Sequence, residues 1–127
     1  METAIERFTG FSFLVVGLSH LLQPSGWCEF FEQLRAKGKP GAFINGMMSL
    51  SIGALITGFH GTQWSGLPAI VTFIGYAQLL KGLVHMTWPA HSLRSMSYVT
   101  HDKSYKFAVA GAIMIPIALL ILVNTYR

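Results

Sequence analysis

AIERFTGFSFLVVGLSHLLQP (residues 4–24) returns, without a gap, as AIVTFIGYAQLLKGLVHMTWP (residues 69–89). Nine of the 21 aligned positions are identical, and both copies end in Gly-Leu-x-His-x-x-x-Pro. The shared residues include polar and helix-breaking types as well as apolar ones. Repeats of this kind are a common way of building small membrane bundles. The repeat therefore predicts two related halves, about residues 1–65 and 66–127.

The composition indicates a membrane protein. Of the 127 residues, 52% are apolar and only 11% are charged, whereas about a quarter of the residues in a soluble domain are charged. The mean hydropathy is +0.50, and the stretches 42–65, 66–80 and 107–126 carry no charged residue. Because about 20 apolar residues span a bilayer as a helix, we predict one integral membrane domain, 1–127, with an all-α fold.

The predicted fold is a four-transmembrane-helix bundle made of two repeated helical hairpins. The expected spans cover residues 3–22, 42–60, 67–88 and 106–125. Proline lacks an amide hydrogen and disfavours a helical residue before it, so the first and third spans should end before Pro24 and Pro89. Pro116 should kink the fourth span.

The segment after the first span has helical periodicity. Four apolar side chains recur there at i, i+3, i+4 and i+7: Trp27, Phe30, Phe31 and Leu34. This pattern predicts a short amphipathic helix in the headgroup region, with Ser25 as its N-cap and Gly38 closing it. Residues 89–100 should form a weaker counterpart, with Leu93, Met96 and Thr100 facing inward, and Asp102 should cap the fourth span.

Basic residues in the loops predict the topology. The loops after the first and third spans contain Arg35, Lys37, Lys39, Arg94, Lys103 and Lys106, whereas the other side has only Arg7 and Arg127. Both long loops should therefore be cytoplasmic and both termini non-cytoplasmic, in a bacterial inner membrane. Basic residues confined to short loops also favour membrane lipids, rather than nucleic acid, as partners.

Polar residues within the spans are the candidate ligand-binding site, since ionisable groups are costly in hydrocarbon. Gln78, Lys81 and His85 lie within about 60° of one another on the third span, and the repeat places His20 at the same depth on the first. These four residues could bind a lipid headgroup, a quinone or another amphiphile, with Lys81 as the cation. They could also hold a bis-histidine haem or a metal, or relay protons, although two histidines alone are too few ligands for a metal.

A structural role is the competing interpretation of the same residues. Each histidine falls in the last turn of its helix, where it suits the negative end of the dipole. Lys81 would then extend its side chain towards the cytoplasm. His60 and Trp64, at the outer end of the second span, are expected to be interfacial residues, whereas the loop positions of His91 and His101 predict solvated side chains.

The single cysteine, Cys28, excludes an internal disulfide and a thiolate metal cage. We interpret it as an ordinary, partly buried thiol. The acidic residues lie at the ends of the spans or in loops, and no nucleophile–base motif is present. The sequence therefore predicts no catalytic residue, names no cofactor and gives no evidence for an enzyme.

Small residues recur on the spans in patterns that allow helices to approach closely. The expected packing positions are Gly46, Ser49, Gly53, Thr57, Gly75, Gly82, Ala108, Gly111 and Ala112. Such faces could pack inside one protomer, between protomers or against a larger partner.

The chain resembles the DoxX-like small four-helix membrane proteins. The resemblance rests on Gly17-Leu-Ser-His20, on Pro24 and Trp27, and on Gly53-Ala-Leu55 within a glycine-rich second span. It implies a shared fold more than a shared activity, and some members are associated with quinone-linked or redox complexes. No catalytic residue is carried over from the resemblance.

Two functions are compatible with these observations. The first is an accessory or structural subunit that associates with itself, as a homo-oligomer, or with a larger membrane complex through its small-residue faces. The alternative is an amphiphile-binding or redox-linked membrane protein that uses the predicted pocket.

Overall fold

The computed structural model describes residues 2–127, and these residues form helices without any strand. The helices are α1 (Glu2–Leu22), α2 (Pro24–Ala36), α3 (Lys39–His60), α4 (Pro68–Thr87), α5 (Pro89–Met96) and α6 (Tyr105–Thr125), with a 3-10 turn at His101–Lys103. Helices α1, α3, α4 and the segment His101–Thr125 that contains α6 are long and apolar enough to cross a membrane. The predicted all-α fold is confirmed, and it has four helices that are candidates for crossing a membrane.

Proline and glycine set the helix boundaries. Pro24 and Pro89 each stand in the first turn of the next helix, α2 and α5, where a missing amide hydrogen is harmless. The left-handed φ of 68° at Gly38 separates α2 from α3. Gly38 closes α2 as predicted, whereas the two predicted N-caps are wrong: Ser25 already lies inside α2, and the residue before α6 is Ser104 rather than Asp102.

The helices pair differently from the predicted hairpins. The closest packing joins α1 to α6 and α3 to α4, whereas α1 and α3 touch over a smaller region. The predicted packing of each half as its own hairpin is therefore wrong, because the glycines of α1 and α4 face helices from the other half. For example, a Cβ added at Gly17 of α1 would meet Ile115 of α6, and one added at Gly82 of α4 would meet Leu50 of α3.

The glycine contacts of the two close pairs correspond to one another. Gly10 meets Leu122 between α1 and α6, and Gly75 meets Thr57 between α4 and α3; each residue of one contact is 65 positions from its counterpart in the other. The contacts of Gly111 with His20 and of Gly46 with His85 correspond in the same way. In all four contacts, a Cβ added to the glycine would lie within 3.2 Å of a side-chain atom of the partner. The backbones of each pair therefore approach too closely for a larger residue at these positions.

Two apolar clusters hold the bundle. The first joins α1, α3, α4 and α6 through Ile5, Ile56, Val71, Ile74 and Ile121. The second, consisting of Leu34, Ala42 and Met96, joins α2, α3 and α5. It fastens α2 across one end of the four long helices, and this places the aromatic side chains of α2 beside the candidate site.

Candidate functional site

A cavity of about 310 Å³ lies between the long helices at the end covered by α2. Its walls combine polar and aromatic side chains, including His20, Trp27, Phe31, Asn45, Gln78 and Lys81. Ligand pockets in proteins start at about this volume, and a few convergent polar groups on apolar walls are typical of them. Three of the four residues predicted from the sequence thus line one cavity.

Among residues 2–127, Lys81 carries the only lysine or arginine charge on the cavity wall. Its side chain is partly buried, and its Nζ lies 5.9 Å from the centre of the Phe31 ring, close enough for a cation–π attraction. The two ion pairs between side chains of residues 2–127 involve other groups. Within the described chain, therefore, no carboxylate neutralises this lysine.

His20 of α1 lines the same cavity as the α4 residues. Its Nδ1–H donates to the carbonyl oxygen of Val16 at 2.8 Å, and its ring stacks on Trp27 with 4.2 Å between the centroids. The carbonyl can only accept, so the neutral ring keeps Nε2 as an acceptor. No group of residues 2–127 donates a hydrogen bond to that nitrogen.

His85 does not line the cavity. It is buried, with 8% of its surface exposed, and its Nδ1–H donates to the carbonyl oxygen of Lys81 at 2.9 Å. The position beside Gly46 accounts for the burial, because the two helices meet there. The structure thus brings His20, Gln78 and Lys81 together and leaves His85 in helix packing. The two cavities that His20 lines do not include His85 among their wall residues.

Helix α2 supplies residues that the sequence had assigned to the membrane surface. Trp27 donates from Nε1 to the hydroxyl of Ser19 at 2.8 Å, and Phe31 stacks on Phe107 of α6 with 5.7 Å between the centroids. The predicted apolar stripe is present, but three of its residues, Trp27, Phe30 and Phe31, face the cavity. Periodicity indicates which side of a helix is apolar, and not what covers it.

Asn45 is a further polar wall residue that the sequence analysis missed. It is 4% exposed, and its only side-chain hydrogen bond within residues 2–127 is a weak one from Nδ2 to the Met96 sulfur at 3.6 Å. An asparagine within an otherwise apolar span was the available signal. It was hidden by the glycine pattern around Gly46.

Two further spaces adjoin the cavity. A smaller one of about 130 Å³ shares Phe13, Val16, Ile52, Gln78 and Met114 with it and continues between Phe8, Ile56 and Ile74. A surface groove of about 480 Å³ shares Trp27, Phe30 and Met48 and is bordered by Ser19 and Gln23. The polar cavity is thus flanked by an apolar extension towards the middle of the bundle and by a groove at its side.

The opposite end of the bundle holds a buried pair. His60 is fully buried, and its Nε2–H donates to the Glu6 carboxylate at 3.0 Å. Thr72 lies 3.4 Å from the other ring nitrogen and accepts a hydrogen bond from the amide of Gln63. His60 lies at the end of α3, and its ring is covered because α1 brings Glu6 against this end; its interfacial position stays a prediction.

The small residues mostly pack within the protomer. Gly46, Gly53, Gly75, Gly82 and Gly111 are buried where two helices meet, and Ser49 is buried on the cavity wall. Thr57 contacts the Gly75 position, Ala108 is half-buried, and Ala112 is exposed. The glycine faces are therefore occupied by intramolecular contacts.

Comparisons with protein-family models, with curated proteins and with solved structures found no match. The DoxX-like resemblance stays a prediction.

Proposed function

We propose that this integral membrane protein binds an amphiphile, a lipid or a quinone, whose polar head lies in the cavity and is recognised by Lys81. The unneutralised charge of Lys81 on the wall of that cavity carries the proposal. A charged group inside an apolar bundle is costly unless it has a partner. A negatively charged or carbonyl-bearing head group would supply one.

The other wall residues suit the same class of ligand. Gln78 and Asn45 offer amide donors and acceptors, and Nε2 of His20 is a free acceptor in the neutral ring. Phe30, Phe31 and Trp27 offer flat apolar surfaces against which a ring or an acyl chain can pack. A head group would therefore find polar atoms on one side and aromatic faces on the other.

The adjoining spaces favour an elongated ligand. The apolar extension between Phe8, Ile56 and Ile74 would take a chain, and the groove beside Trp27 would give access from the side of the bundle. In our proposal the Lys81 end faces the cytoplasm of a bacterium, as the loop charges predict, and α2 lies in the headgroup region. The ligand would then enter from the cytoplasmic leaflet.

The accessory-subunit hypothesis has weaker support. Its main argument was the set of small-residue faces, and these faces pack inside the protomer. Association with a partner or with a second copy would use the outer surface instead, where side chains such as Val15, Phe73 and Ile113 are more than half exposed. That surface is equally suited to lipid.

Stabilisation by added amphiphiles tests the proposal. The purified protein in mild detergent is heated with an anionic phospholipid, a zwitterionic phospholipid or a short-chain quinone. A ligand at about one hundred times its Kd stabilises the folded state by about 2.7 kcal/mol. We expect one of these probes to raise the Tm of the wild type and of Lys37→Met, a matched exposed lysine, but not that of Lys81→Met. Equal shifts in all three proteins, or no shift with any probe, would contradict the proposal.

A further inference from the structure

Three different metal-binding side chains meet outside the cavity. Cys28 and Glu32 are four residues apart on α2 and so share one face of that helix. His101 belongs to the 3-10 turn before α6. Each contributes one donor atom, and these atoms lie within 4.8 Å of one another. This cluster could not be predicted from sequence patterns, because α2 and the turn are far apart along the chain.

We propose that Cys28, Glu32 and His101 form a binding site for Zn²⁺. The Glu32 carboxylate stands between the other two, accepting from the Cys28 thiol at 3.8 Å and from Nε2–H of His101 at 3.1 Å. A tetrahedral Zn²⁺, with bonds of about 2.0–2.3 Å, holds its donors about 3.4–3.6 Å apart. The three donor atoms lie within 4.8 Å of one another, so movements of up to about 1 Å would bring them to this spacing and convert these hydrogen bonds into ligand bonds.

The donor set selects the class of metal. A thiolate and an imidazole favour Zn²⁺ and its neighbours over Mg²⁺ and Ca²⁺, which prefer oxygen ligands. On binding, the Cys28 thiol gives its proton to solvent, and the sulfur bonds to the ion as thiolate. The proton on Nε2 of His101 also leaves, and the neutral ring carries its proton on Nδ1 instead, so that Nε2 can bond to the ion. Three protein ligands leave the fourth position for water, as in open zinc sites. Glu29 and Asp102 lie near enough to add negative potential at the thiol.

The site would fasten α2 to the start of α6. Without metal, the His101–Glu32 contact is a partly exposed pair, with side-chain exposures of 57% and 32%, and such pairs stabilise little. With metal, three bonds to one ion would hold α2 in place. The stacking of Phe31 on Phe107 joins the same two elements, so the ion would strengthen a contact that the fold already makes.

Cobalt substitution tests the site directly. Tag-free, full-length protein is treated with a chelator, dialysed, and titrated with Co²⁺ and then with Zn²⁺. We expect one Co²⁺ per chain, with a thiolate-to-cobalt charge-transfer band that Zn²⁺ displaces. Cys28→Ser should abolish the band, and His101→Ala should weaken binding by about tenfold or more. His91→Ala, which changes a histidine of α5 outside the cluster, should bind as the wild type does.

A second readout keeps the test independent of folding defects in the variants. Zn²⁺ should slow alkylation of Cys28 by iodoacetamide in the wild type and in His91→Ala, and should do so much less in His101→Ala. A wild-type protein without the charge-transfer band would overturn the proposal. So would a band, or a protection, that His101→Ala leaves unchanged.

Discussion

The two ends of the bundle differ in whether their buried polar groups have partners within the protein. At the His60 end, formed by Glu6, His60 and Thr72, each polar group has a partner in the protein. At the Lys81 end, the lysine and the free nitrogen of His20 line a cavity without such partners in the described chain. Burial of an ionisable group is common to both ends. The difference lies in whether the fold itself satisfies the group, and this separates a structural pair from a candidate binding site.

Removing a partner at the His60 end should have the largest effect on stability. His60→Ala leaves the Glu6 carboxylate buried without its donor, and breaking a buried pair in this way costs about 3–5 kcal/mol. We expect the free energy of unfolding in detergent to fall by about that amount. His91→Ala is the matched control and should be neutral. A His60→Ala protein as stable as the wild type would show that the pair does not hold this end together.

Substitutions that disturb helix packing between the two ends should have the second largest effect on stability. Gly53 and Gly58 lie on the same helix, but a Cβ at Gly53 would collide with the backbone of Leu79, whereas one at Gly58 would meet nothing. Gly53→Ala should therefore lower the free energy of unfolding by about 1–3 kcal/mol. Gly58→Ala should leave it unchanged or raise it by up to about 1 kcal/mol. Thermal unfolding of the two variants checks the difference, and equal effects would contradict the described α3–α4 contact.

At the Lys81 end, removing the buried polar group should raise the stability instead of lowering it. In protein stripped of bound lipid, Lys81→Met removes an unpartnered charge from an apolar site, so we expect the free energy of unfolding to rise by about 1 kcal/mol. The same measurement on Lys37→Met should show no change. A marked loss of stability in Lys81→Met would mean that the lysine is a structural residue like His60.

The smallest effect concerns the thiol on α2. Burial, followed by the nearby Glu32 carboxylate, raises the pKa of Cys28 above the ordinary value of 9.0, since both disfavour the thiolate. In chelator-treated protein, the rate of alkylation should therefore still be rising with pH above pH 9. Glu32→Gln should shift the rate profile to lower pH. A profile that levels off below pH 9 would contradict the described surroundings of the thiol.

Much of the fold follows from short-range signals in the sequence. Runs of uncharged residues define the four long helices, and Pro24 and Pro89 define where two of them stop. The shared wall of Gln78 and Lys81 follows from helical periodicity, since both lie on one face of α4. These features depend on residues that are close along the chain.

The remaining features depend on which helices meet. Apolar spans have no strong preference for a partner, so the pairing of α1 with α6 could not be read from hydropathy. Without that pairing, the contact of Glu6 with His60 and the placement of Trp27 over the cavity were not predictable either. The proximity of Cys28 and His101 was not predictable for the same reason.

Mass spectrometry of the protein under non-denaturing conditions tests the ligand proposal most directly. Wild type, Lys81→Met and Glu6→Gln, which alters the His60 end, are purified identically from the same host, and bound small molecules are identified. We predict that wild type and Glu6→Gln retain one amphiphile per chain and that Lys81→Met loses it. Retention by Lys81→Met, or its absence from the wild type, would contradict the account.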